Sequence, residues 1–227
     1  MKVYGIDYGT VSTGIARGES ILKIATGIGQ IKTPEIFNFF LKEGLSENNV
    51  VALGLPVSMS SRFSEQTFKT VDFALKLKEK FGAKIYLIDE RLTTSMVYST
   101  MKNARSTKGY KNSKDENSSV LILSSFFSNE KGYSELIPGK VFDIGIVEKD
   151  NLMVYNTAVS VSSLKGKAVD IFTTDPWIFW YYFKNGFKST TIEADLKVSY
   201  ESIYTFMVEE KYLKEKFLCE CVCSLDG

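Results

Sequence analysis

Three acids stand where the end of an expected element could present a carboxylate to a metal ion or a phosphate: Asp7, Glu90 and Asp115. Asp7 closes the apolar run Val3-Tyr4-Gly5-Ile6 and is followed by the turn residues Tyr8-Gly9-Thr10. Glu90 follows Lys84-Ile85-Tyr86-Leu87-Ile88, inside Asp89-Glu90-Arg91. Asp115 opens a segment whose apolar residues are Val120, Leu121, Leu123, Phe126 and Phe127. A few carboxylates and a substrate phosphate suffice for Mg²⁺, a hard ion that keeps several waters. Two such ions about 4 Å apart can activate water and stabilise a leaving oxygen. Each acid also has an ordinary structural use. Asp7 could close a turn, Glu90 could pair with Arg91 or Lys84, and Asp115 could cap a helix.

The chain holds no histidine. Ser-His and Cys-His nucleophiles and the usual general base are therefore excluded. The three cysteines, Cys219, Cys221 and Cys223, lack the C-x2-C spacing and the second pair of a zinc site. In an extended segment they would share one face as apolar thiols.

The elements that must position the acids follow from pattern. Lys2–Asp7, Gly14–Arg17 and Ile24–Ile31 read as an antiparallel meander. Thr33-Pro34-Glu35 has the form of a helix cap, followed by Ile36, Phe37, Phe40 and Leu41 at helical spacing. Val50–Leu55 is a continuous apolar run, as in a buried central strand. A helix follows through Phe68, Val71, Phe73, Leu75 and Leu77, then the fifth strand, a short helix from about Met96 to Lys102, and the Asp115 helix. The order βββαβαβα predicts an α/β fold of the ribonuclease H-like arrangement, with a mixed five-stranded sheet. Strands one, four and five would lie parallel at its centre, and the ends of the first and fifth would share one edge, where ligands sit in open sheets.

The segments Ile6-Asp7-Tyr8-Gly9-Thr10, Leu53-Gly54-Leu55-Pro56, Asp89-Glu90-Arg91-Leu92-Thr93-Thr94 and Asp115 through Leu123 resemble, in order, the motifs of the YqgF-type family. These are Holliday-junction-resolvase-like proteins described as pre-16S rRNA nucleases. The resemblance covers roughly residues 1–130. It implies a nuclease cutting phosphodiester bonds of structured nucleic acid with Mg²⁺ or Mn²⁺, in 5′-end processing of pre-16S rRNA. It implies Asp7, Glu90 and Asp115 as metal-binding catalytic acids, with Asp89 replacing or assisting Glu90. Thr10, Arg91 and the basic stretch Lys102, Arg105, Lys108, Lys111 and Lys114 would bind nucleic acid. The chain departs from the family pattern in three places. Val11 and Ser12 stand where basic residues usually follow Asp-x-Gly-Thr. Ser58-Met59-Ser60-Ser61-Arg62 replaces an Asp-Gly turn. Ser118-Ser119 replaces a small Ala pair.

A nearby variant that would use the same site is a resolvase of branched DNA. Alternatives in other classes are a catalytically silent nucleic-acid or interaction module and an actin-like phosphotransferase. The last also uses Asp-x-Gly-Thr and would need Asp143-Ile144-Gly145 as a partner motif. The expected division is a nuclease domain at 1–130, a linker at 131–140 containing Gly132, Pro138 and Gly139, and a small α+β domain at 141–227, in which Asp175-Pro176 would start a short helix, Thr190–Ala194 would be a strand and Ile203–Leu218 a helix. All four arginines, Arg17, Arg62, Arg91 and Arg105, precede the linker, and guanidinium forks suit phosphate. Trp177, Trp180, Tyr181 and Tyr182 form one aromatic run that suits a core. No apolar run approaches the roughly 18 residues of a membrane helix. The expected location is cytoplasmic, with no membrane partner, as monomer or homodimer.

Overall fold

In a computed structural model the described residues are 1–91, 114–129, 132–148, 150–196, 201–204 and 222–224. The chain divides into two units. The first comprises Met1–Val57 and Lys69–Leu136, and the second Ser58–Phe68 and Ile137–Gly227.

The first unit is built on β1 (Lys2–Tyr8), β2 (Ser12–Glu19), β3 (Thr26–Lys32), β4 (Val50–Leu55) and β5 (Lys84–Asp89). Their order in the sheet is β3-β2-β1-β4-β5. The first three pair antiparallel, whereas β1, β4 and β5 are parallel. Every residue of β4 is buried, as its unbroken apolar sequence requires. Between the strands run α1 (Ile36–Glu43) and α2 (Glu65–Phe81), and α3 (Lys114–Ser128) follows them.

Helix α3 lies directly on the sheet because β1 offers it no side chain at Gly5. A methyl there would sit 2.5 Å from the Ser119 carbonyl and 2.6 Å from Leu123 Cβ. Ile122, Leu123, Phe126 and Phe127 pack with Val3, Ala16, Ala52 and Ile88 in a buried cluster. The helix crosses the sheet in a definite sense. Ser119 and Leu123 lie over Gly5, and Phe127 lies over Gly18, the partner of Val3. Its first turn therefore points towards the end of β1 that carries Asp7.

Thr33 departs from the expected cap. Thr33–Glu35 is a short 3-10 turn whose N-cap is Lys32, with no side-chain cap. The hydroxyl of Thr33 instead donates to the carbonyl of Gly9, 2.6 Å away.

The second unit holds a four-stranded sheet of β7 (Asn151–Tyr155), β9 (Ala168–Phe172), β10 (Glu201–Tyr204) and β11 (Val222–Ser224), in the order β11-β10-β7-β9. All three pairings are parallel. Two short strands, β6 (Val141–Phe142) and β8 (Ala158–Val159), pair beside it. The helices are α4 (Val161–Leu164) and α5 (Pro176–Lys184). Asp175 caps α5, accepting from Trp177 N at 2.7 Å and Ile178 N at 3.0 Å, so Asp-Pro starts this helix as its sequence suggests. Tyr182 is fully buried in the core. Its hydroxyl donates to the Thr157 carbonyl at 3.2 Å and accepts from Val159 N at 3.0 Å.

Two expectations fail in this unit. Thr190–Ala194 is not a strand: Thr190 makes an isolated bridge to Phe172, and Glu193–Asp195 form a 3-10 turn. Helix does not begin at Ile203, because Glu201–Tyr204 extend and pair with β7. Backbone pairing to a buried strand outweighs the helical spacing of the apolar residues. The remainder of that expected helix, Cys219 and Cys221 lie outside the described residues.

The loop after Pro56 belongs to the second unit and is fastened within it. Arg62 Nη2 donates to Asp195 Oδ1 at 3.0 Å, and Arg62 Nη1 bonds Asp195 Oδ2. This bond, with one from Thr190, holds the Asp195 carboxyl down to about 2. Thr191 Oγ1 donates to the Ser61 carbonyl at 2.6 Å. No helix among the described residues is long and apolar enough to cross a membrane.

Candidate active site

The parallel registers bring the candidate acids to one edge of the first sheet. Ile6 is level with Leu53, and Gly54 with Ile88, so Asp7, Gly54 and Ile88 form one row across β1, β4 and β5. Side chains alternate across a strand. Since Gly5 faces α3, Asp7 faces it too, while Tyr8 turns to the other side and stacks on Phe73 at 4.5 Å.

Glu90 is the first residue beyond β5, and its side chain folds back over β4. A methyl on Gly54 would sit 2.8 Å from Glu90 Oε1 and 2.6 Å from Ile122 Cδ1. Gly54 therefore provides the slot in which the carboxyl lies. Burial in that slot, then the charge of Asp7, then that of Asp89, push the Glu90 carboxyl up to about 7. Asp7 and Glu90 thus meet, as the element order predicts. They form a pair of acids that resist simultaneous ionisation and would be relieved by a cation.

Asp89 is turned to a different task. It accepts from Arg91 N at 2.9 Å and from Arg91 Nε at 3.0 Å, and its second oxygen from Arg91 Nη2 at 2.5 Å. The fork of Arg91 is thereby engaged by Asp89, two residues before it.

Position 115 lies in the first turn of α3, one helical turn before Ser119 and so towards Asp7. Lys114 precedes it as the first residue of the helix. Thr10 is exposed in the turn after Asp7. Lys102, Arg105, Lys108 and Lys111 lie outside the described residues. Among the described residues no three ligating side chains are gathered as a metal cluster. What is present is the Asp7–Glu90 pair, a donor set of hard oxygens that fits a hydrated divalent ion needing only one or two carboxylates. A groove lined by Arg17, Glu19, Leu22 and Ile24 lies at the opposite end of β1 and contains none of these acids.

Two contributors escape sequence reading. Thr33 reads as a cap, and its bond to Gly9 spans 24 residues. Gly54 carries a signal in the glycine of Leu-Gly-Leu-Pro, but its role as a slot needs the position of Glu90.

A central β1-β4-β5 parallel trio flanked by an antiparallel meander, with acids at the ends of β1 and β5, defines the ribonuclease H-like class. Within that class, residues 1–129 match the family model described as RuvX, Holliday junction resolvase. The chain belongs to this family. A relative from Thermotoga maritima named "Putative pre-16S rRNA nuclease" is 29% identical over 226 residues, covering 97% of this chain and 94% of its own. A relative of the same name from Shewanella oneidensis is 36% identical over 135 residues, 57% of this chain and 96% of its own. The solved structure of T. thermophilus RuvC in complex with Holliday junction substrate aligns with a TM-score of 0.41 at 16% identity, over 60% of this chain and 99% of that one. The Thermotoga relative is thus similar across both units, and the Shewanella relative is accounted for by little more than half of this chain.

Proposed function

We propose that the protein is a divalent-metal-dependent nuclease that hydrolyses phosphodiester bonds of structured RNA, in 5′-end processing of pre-16S rRNA. The observation that carries this reading is the Asp7–Glu90 pair, seated across Gly54 at the carboxyl edge of the sheet. The names of two relatives support the RNA substrate, and family membership supports the nuclease class.

Asp7 and Glu90 would hold Mg²⁺ or Mn²⁺, with Asp115 approaching from α3. A bound divalent ion supplies an activated water and neutralises charge on the scissile phosphate. The protein's own part is to present two oxygens from rigid strand ends and to keep Glu90 partly shielded from water. Arg91 orients this edge through Asp89. Thr10, Lys114 and the basic stretch Lys102, Arg105, Lys108 and Lys111 would track the phosphate backbone. The protein would act in the cytoplasm, where the precursor is made, as monomer or homodimer.

The family description favours one second reading, cleavage of branched DNA. Labelled pre-16S 5′ leader RNA and a four-way DNA junction are incubated with Mg²⁺ or Mn²⁺ and the wild type, Asp7→Asn or Glu90→Gln. Cleavage of the RNA by wild type alone is expected. Junction cleavage with intact RNA would select the second reading, and equal activity in all three proteins would refute the carboxylate site.

A further inference from the structure

The turn that leaves Asp7 is held from a part of the chain with no motif of its own. Thr33 lies one residue beyond β3. Its amide donates to the Val11 carbonyl at 3.0 Å. Its hydroxyl donates to the Gly9 carbonyl at 2.6 Å and lies 2.9 Å from the hydroxyl of Thr13. A threonine hydroxyl has one proton. As that of Thr33 goes to Gly9, the bond between the hydroxyls is donated by Thr13. The sense is therefore Thr13 to Thr33 to Gly9, a chain in which each bond polarises the next. Thr13 is fully buried on β2, so its hydroxyl has no water to turn to. Both carbonyls that bracket Thr10 are thus engaged by a single residue.

We propose that Thr33 is a positioning residue of the nuclease site, fixing the Gly9–Val11 turn and through it the approach of substrate phosphate to Asp7. This inference rests on the nuclease reading above. It also gives a reason why the turn can do without the basic pair at Val11 and Ser12: its geometry is set by hydrogen bonds rather than adjusted by long side chains. Displacement of a site element by about 1 Å costs up to roughly 100-fold in rate.

The test compares wild type, Thr33→Val, Thr33→Ser, Thr13→Val and Asp7→Asn. Tyr4→Phe serves as a control, because it removes a hydrogen bond to Glu43 from the other end of the same strand. Single-turnover RNA cleavage, KM and Mn²⁺ affinity are measured, with thermal melting alongside. Thr33→Val is expected to lower kcat by about 10-fold or more with KM nearly unchanged. Thr33→Ser should restore most of the rate, Thr13→Val should fall between, and Tyr4→Phe should cleave like wild type. Wild-type rates in both valine variants would overturn the proposal, as would a loss that serine does not rescue or that Tyr4→Phe reproduces. If Thr33→Val does not fold, Thr13→Val decides by the same criteria. If Asp7→Asn cleaves and binds Mn²⁺ as wild type does, the nuclease site itself is refuted and the proposal falls with it. An inactive Asp7→Asn beside fully active threonine variants refutes the proposal alone.

Discussion

Glu90 occupies space that exists only because residue 54 is glycine: a methyl there would come within 2.8 Å of Glu90 Oε1. The strand interior thus gives up a side chain so that an acid from the neighbouring strand's end can lie across it.

Gly54→Ala is expected to displace Glu90 and press on Ile122. Overpacking of this kind costs about 1–3 kcal/mol. Urea unfolding should show that loss, while metal-dependent cleavage should fall further than the loss of folded protein accounts for. A variant with unchanged cleavage would show that the carboxyl does not need its slot.

The raised pKa of Glu90 makes a prediction about stability without metal. Below its ordinary value of 4.5 the group is protonated in folded and unfolded chains alike and contributes nothing. Between 4.5 and about 7 the unfolded chain gives up the proton while the folded protein keeps it, so stability falls as pH rises and the penalty is complete above 7. The gap amounts to at most about 3 kcal/mol. In EDTA, Glu90→Gln should therefore melt above wild type at pH 8 and close to it at pH 4.5. Added Mg²⁺ should raise the wild-type melting temperature at pH 8 more than that of the variant. Parallel pH profiles for the two proteins would refute the assignment.

Arg91 and Asp89 should behave as one device. Arg91→Lys keeps the charge but loses the fork, and Asp89→Asn weakens it from the other side. Each is expected to lower kcat by about 10-fold through misplacement of the edge. The double variant should be little worse than either, since residues sharing one interaction do not add. Multiplied losses would mean that the two act independently.

Tyr182→Phe tests the second unit apart from the site. It leaves a buried carbonyl at Thr157 and an amide at Val159 short of a partner. The expected cost is about 1–3 kcal/mol. Thermal melting should report it, while cleavage well below the transition stays at the wild-type rate. Loss of activity at a temperature where the variant is folded would assign the second unit a part in the reaction.

The sheet of the first unit is legible because its signals are local: an apolar run for β4, alternation and turns for β1 to β3, and an acid at each strand end. The meeting of Asp7 and Glu90 follows once strand order is known. What escapes is carried by pairs distant in sequence. Thr33 matches a helix cap in every local respect, yet its hydroxyl serves Gly9 across the sheet edge. The Ser58–Arg62 loop that replaces an Asp-Gly turn closes on itself, with Ser58 Oγ accepting from Arg62 N at 2.9 Å and Ser58 N donating to the Arg62 carbonyl at 3.1 Å. What its own sequence does not reveal is the second set of partners, Asp195 and Thr191, which hold Arg62 and Ser61. Glu201–Tyr204 is extended because β7 offers it a partner, which no residue within that segment reveals.

Arg62 and Asp195 are 133 residues apart. Synthesis at about 5–20 residues per second separates their emergence by roughly 7–27 s. The five strands of the first sheet all precede that moment, so the nascent chain could assemble its acid pair while Ser58–Arg62 still awaits the partners that will retain it. The clasp then acts as a late seal, set only after translation has passed residue 195.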